Sequence, residues 1–195
     1  MRNRRTPVQP IGTGRRAFIR SAFGTNASGW AALSAADQAA WIGYANDHPV
    51  VDRLGQSIKL TGQQMYVAVN TQLLNCGSAV VSAVPASSAV WTPGPASMTA
   101  ASGTPSVSVI YTAGSAGDFL NIAFSSQQSA GRTFNSNWWQ ATSIDAATAS
   151  PYDGTSAYTA QFGTLSSGLK IFCKLTPVNQ YGVTGVPVVV NAIIT

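Results

Sequence analysis

The chain has 195 residues, enough for one domain or two small ones, and 45% hydrophobic content is ample for a core. Charged residues make up only 9%, against about 25% in typical soluble domains, and the absence of any apolar run of about 18 residues predicts no membrane span. Six of the 11 basic residues, Arg2, Arg4, Arg5, Arg15, Arg16 and Arg20, fall in the first 20 positions, so the net +5 is a basic arm on a nearly neutral body.

Residues 1–12 contain Pro7, Pro10 and Gly12 and read as an extended arm. An arginine-rich stretch with so few apolar side chains cannot order itself by burial, so a partner is expected to hold it. From about Thr13 the spacing turns helical, with Phe18/Ile19, Ala22/Phe23, Ala27 and Trp30 recurring, although Gly24, Asn26 and Gly29 weaken it. Ser34 with Asp37 three residues on predicts a capped helix to about Ala45, with Trp41 and Ala45 inward. Asn46-Asp47-His48-Pro49 stops it, and Asp52-Arg53-Leu54-Gly55 reads as a turn. Thr61-Gly62-Gln63-Gln64 caps a third helix, whose Met65, Val69 and Leu73 share one stripe and which Gly77 closes. The expected core of this module is Trp30, Trp41, Leu54, Met65 and Val69.

Pro85, Pro93, Pro95 and Pro105 punctuate a Ser/Ala/Thr-rich segment that reads as a linker, 78–105, with room for an edge strand. Beyond it the hydrophobic period becomes two. Strands are expected at Val107–Tyr111, Phe119–Phe124, Trp138–Ala141, Tyr158–Phe162, Leu169–Leu175 and Val186–Ile194. The fold class is therefore α+β in two parts, a three-helix module over 13–77 and an antiparallel β-sandwich over 106–195.

Enzyme chemistry finds little support in these residues, and no cofactor or small-molecule substrate is expected. His48 is the lone histidine and sits in a helix-ending turn, which removes multi-histidine metal sites and leaves a Ser-His-Asp base poorly placed. Asp145 and Asp153 bracket a Ser/Thr/Ala loop that could hold Ca²⁺, with turn capping as the ordinary reading. Cys76 and Cys173 lack CxxC spacing and read as two free, buried thiols. Trp138-Trp139 places adjacent indoles on opposite faces of a strand, one in the core and the other exposed, as an interface anchor or a sugar-stacking ring.

Three resemblances attach to particular residues. Leu165-Ser-Ser-Gly168, the alternating strand to Leu175, and Asn179-Gln-Tyr-Gly182 resemble the last strands of a fibronectin type III or immunoglobulin-like sandwich. Ile171 stands where that family usually has its corner tyrosine. The helical part, with Trp30, Leu33-Ser34, Gln38-Ala-Ala-Trp41, Ala45, Gly55, Thr61-Gly62-Gln63-Gln64 and Asn70, resembles a module common in bacteriophage and prophage proteins. That resemblance implies a virion structural protein and names no activity. Gly14-Arg15-Arg16-Ala17-Phe18-Ile19-Arg20 is similar to a twin-arginine export signal, but Asn26, Ser28, Gly29 and Trp30 make the following stretch a poor apolar region.

The expected function is a non-enzymatic capsid, decoration, connector or tail component, located in the virion. Its partners would be copies of itself and other virion proteins, with packaged nucleic acid open as a partner of the arm. Arginines without interleaved aromatics suit phosphate-backbone contact, and a clamp into a neighbouring subunit fits them equally. Two rivals remain, an exported adhesive or carbohydrate-binding module and a DNA-binding helical domain with an appended sandwich.

Overall fold

A computed structural model describes residues 14–52 and 54–195, which form four α-helices and ten β-strands in a mixed α+β arrangement with antiparallel sheets. The chain divides between Val84 and Pro85 into two compact units.

The described part of the first unit holds helices α1 (Arg15–Ala32), α2 (Ala35–Asp47) and α3 (Gly62–Asn75), with a short hairpin, β1 (Val50–Val51) and β2 (Ser57–Ile58), between the last two. The caps fall where the sequence signals them. The Ser34 hydroxyl accepts from the Asp37 amide, and Thr61 with Gln64 forms a reciprocal capping box. At the far end of α3, Gly77 adopts φ +79°, while the Ser78 amide donates to the Leu73 carbonyl and Gly77 to Leu74. That is a Schellman closure, and it needs a residue free to take positive φ.

Helix α3 is the centre of this unit. It buries Met65, Tyr66, Val69 and Leu73 and packs against both other helices. Trp41 reaches it from α2 with no exposed surface, its ring edge-on to Tyr66 at 5.4 Å. Gly62 permits that approach, because a Cβ there would lie 2.8 Å from the Ile42 backbone nitrogen. Helix α1 differs from its expected register. It buries Ala22 and Asn26, and Asn26 donates to the Thr71 hydroxyl at 3.2 Å. Gly29 sits under Tyr66, where a Cβ would come 3.1 Å from the hydroxyl. Two of the residues that weaken α1 by propensity, Asn26 and Gly29, therefore lie in its contact stripe, while Gly24, Phe18 and Phe23 face solvent. Leu54 is a correction too. It is 83% exposed at the hairpin tip rather than in the core, because Asp52 ties the turn by accepting from the Leu54 and Gln56 amides.

The second unit has two antiparallel sheets around one core. Strands β3 (Ser97–Ala101), β4 (Ser106–Ile110) and β8 (Tyr152–Asp153) pair in that order. The larger sheet runs β10 (Val188–Ile193), β9 (Leu169–Val178), β5 (Phe119–Phe124), β7 (Trp139–Asp145), with β6 (Gln128–Ser129) also pairing β9. Val107, Val109, Leu120, Ile122, Phe124, Ile171, Cys173 and Leu175 alternate inward from the two sheets. Thr195 bonds Ala100 and Ser102, joining the chain end to β3.

The segment expected as the strand Tyr158–Phe162 is instead helix α4 (Thr155–Phe162). Tyr158 and Phe162 are four apart, a spacing that fits either a strand face or a helix face. In the helix both rings pack on the larger sheet, Tyr158 against Phe124 and Phe162 against Trp139, and the Asp153 carboxylate accepts from the Thr155 amide at its first turn.

The stretch read as a linker, 78–105, is strapped down on both sides of the division. Asn70, buried in α3, donates to the Val81 carbonyl and accepts from the Val81 amide at 2.7 Å, and the Trp41 indole donates to Ser82. Asn179 holds the other part, donating to the Ser87 and Ala89 carbonyls. Strand β3 lies wholly within the residues assigned to the linker.

Asp153 gives this unit a pH signature. Hydrogen bonds from the Thr155 hydroxyl and amide hold its carboxyl below the usual range. A depressed folded-state value contributes stability that is present above about pH 4 and lost as pH falls through the folded value. Asp153→Asn is therefore expected to flatten the fall of thermal stability below about pH 4. An unchanged acid limb would refute that role.

Candidate functional site

Of the six arginines assigned to partner contact, Arg2, Arg4 and Arg5 lie outside the described residues. Arg15 and Arg16 open α1 directly after its N-cap Gly14, and Arg20 follows on the same helix with its side chain exposed. The positively charged end of a helix dipole disfavours cations in the first turn. Arg15 and Arg16 therefore occupy positions that local helix energetics does not select.

The two tryptophans take opposite sides of the larger sheet, as strand alternation requires. Trp139 pairs with Phe124 and packs against the core, edge-on to Phe162 at 5.7 Å. Trp138 precedes β7 and turns to the outer face, where the Lys174 ammonium lies 5.1 Å from its ring centroid. Both indoles are half-buried. The outward indole expected to be exposed is therefore half-buried.

Around Trp138 the structure assembles more than the sequence signals. Lys170, Phe172 and Lys174 alternate on the outer face of β9, opposite the core residues Ile171, Cys173 and Leu175. Lys170 donates to the Arg132 carbonyl at 2.9 Å and sits 6.0 Å from the Phe172 ring centroid. The Arg132 guanidinium lies 5.4 Å from the centroid of Phe134, which is 65% exposed. The segment from Arg132 to Trp138 is thus pinned near its two ends by Lys170 and Lys174. Phe172 lies between them, 1% exposed. Inside that segment Gln128 donates to Asn135, and Asn135 donates to the Asn137 carbonyl. The recoverable sequence signal was the spacing of Lys170 and Lys174, four apart on a period-two strand and so on one face.

The remaining chemical candidates resolve into structural roles. His48 caps the end of α2, stacked on Tyr44 at 4.1 Å. Asp145 accepts from the Ala147 amide, and Asp153 from Thr155, one at the end of β7 and the other in the smaller sheet. Cys173 is fully buried, and burial pushes its thiol well above the usual range. Cys76 is half-buried at the C-cap of α3 rather than buried. Burial likewise raises the Tyr158 phenol, whose hydroxyl finds no hydrogen-bond partner in the core. Among the described residues, no helix is long and apolar enough to cross a membrane. Comparison with protein-family models, curated proteins and solved structures finds no match.

Proposed function

We propose that this chain is a non-enzymatic structural subunit of a bacteriophage or similar virion, built as a three-helix module followed by a fibronectin type III/immunoglobulin-like sandwich. The observation that carries the reading is charge segregation. Six cations stand in the first 20 residues, ahead of a body with five cations and six acids. A surface so poor in charge is soluble with difficulty alone and suits a protein covered by neighbours. Exposed Phe18, Phe23, Val186, Val189 and Ile193 agree with contacts on both units.

Strand order supports the sandwich. Of the seven main strands, the last, sixth, third and fourth make one sheet, and the first, second and fifth make the other. The immunoglobulin-like fold places its strands G, F and C side by side in the same way. Ile171 fills the corner position with an apolar core side chain, so the tyrosine hydrogen bond is replaced here by packing.

Analytical ultracentrifugation with negative-stain microscopy tests the proposal. The intact chain at micromolar concentration is expected to form regular oligomers, and deletion of residues 1–12 to leave both units folded while abolishing or weakening assembly. A monodisperse monomer that never associates, or a truncated chain that assembles as well as the intact one, would refute it. If the arm meets the genome, changing Arg2, Arg4 and Arg5 to alanine lowers the salt slope of nucleic-acid binding by about one per lost contact.

A further inference from the structure

The second unit carries three cations and three acids, so its net charge is 3 − 3 = 0, yet the two signs occupy different places. Asp118 and Asp145 stand at the start of β5 and the end of β7, where Phe119 pairs with Asp145. Asp153 belongs to the smaller sheet. Arg132, Lys170 and Lys174 all gather at the outer face of β9, each over an aromatic ring. Among the described residues, no hydrogen bond or ion pair to a carboxylate engages any of them. On the other side of the lysines, Val189 pairs with Lys174, Asn191 with Phe172 and Ile193 with Lys170, and all three β10 side chains are exposed. The lysine row therefore runs between an apolar strand edge and a loop of exposed Thr133, Phe134, Ser136 and Asn137.

We infer that this face is a binding platform for an acidic, carboxylate-bearing glycan. Arg132, Lys170 and Lys174 would take the carboxylates, Trp138 and Phe134 the apolar sugar faces, and Asn137, Ser136 and Asn191 the hydroxyls. Charge complementarity selects an anion, because every cation of the unit is here and no protein carboxylate answers it. The pattern of rings and small polar groups selects a glycan over a nucleic acid. Lys170 and Lys174 are four strand residues apart, about 13 Å, whereas a nucleic-acid strand carries a charge at every nucleotide and is gripped along a continuous basic groove. An acidic glycan alternates charged groups with hydroxyl-bearing, partly apolar ring faces, which matches widely spaced cations among aromatics and amides. Rigid aromatic anchors joined to Ser and Asn are the same economy that antibody loops use for polar ligands. The inference stands on the second unit alone, whatever particle or surface the chain occupies.

Calorimetric titration of the full chain with hyaluronan oligomers, whose carboxylates fall on every second sugar, neutral dextran oligomers and a thymidine oligonucleotide tests it. Hyaluronan is expected to bind, more weakly as salt rises, and dextran not to bind. Lys174→Gln and Trp138→Ala should each weaken hyaluronan binding about tenfold, while Lys59→Gln leaves it unchanged. Phe134→Ser, at an exposed loop position outside the core, supplies a variant whose folding is not in question and should also weaken binding severalfold. Full hyaluronan affinity in all three platform variants, binding of dextran as tight as hyaluronan, or no hyaluronan binding would overturn the inference. Oligonucleotide binding that these same variants abolish would overturn it in favour of nucleic acid.

Discussion

Trp41→Ala is expected to unfold the helical unit while the β unit keeps its own thermal transition. The indole has no exposed surface, meets Tyr66 at 5.4 Å and Tyr44 at 5.9 Å edge-on, and donates to the Ser82 carbonyl at 2.6 Å. Its loss removes the largest apolar group of that core together with the hydrogen bond to Ser82. The packing term alone costs about 3–5 kcal/mol, and loss of the hydrogen bond adds about 0.5–1.5 kcal/mol. That is comparable with the whole stability of a small domain. Circular dichroism at 222 nm across a thermal ramp reads the result. Two transitions at wild-type temperatures would show that Trp41 is not the keystone of α2 and α3.

Phe124→Ala is expected to do the same to the β unit. Phe124 is fully buried, pairs with Cys173 on one side and Trp139 on the other, and meets Tyr158 edge-on at 5.6 Å. A Cβ on Gly154 would lie 2.7 Å from its ring, so this glycine leaves the space that the phenyl ring occupies. A cavity of phenyl size between a sheet and α4 cannot close by collapse, and about 3–5 kcal/mol is lost. The effect should exceed that of Phe134→Ala, which removes a ring of similar size from an exposed loop. Chemical denaturation monitored through tryptophan fluorescence separates the two, and equal midpoints for both variants would contradict the assignment of the core.

The stretch 78–105 holds contacts that its composition does not signal. Proline, serine and alanine through 78–105 carry the signature of a flexible spacer, yet two asparagines fix both halves of it. Asn70 offers its amide to Val81, and Asn179 offers its amide to Ser87 and Ala89. A side chain that bonds backbone groups many residues away leaves no local mark in the sequence.

What the sequence by itself determined is everything governed by neighbours in the chain. The caps at Ser34, Thr61 and Gly77, the inward stripe Met65–Val69–Leu73 and the alternation of β4 and β10 all depend on spacings of two to four residues. Tertiary structure decided what local spacing leaves degenerate. Helix α1 took Ala22, Asn26 and Gly29 as its buried face because α3 needed close approach more than bulk. Tyr158 and Phe162 turn from a helix, α4, onto Phe124 and Trp139 of the larger sheet. The cluster of Arg132, Phe134, Trp138, Lys170 and Lys174 exists only once β9 and the loop before β7 meet. Residues separated by more than 30 positions become neighbours through sheet register, and no pattern of local spacing encodes that.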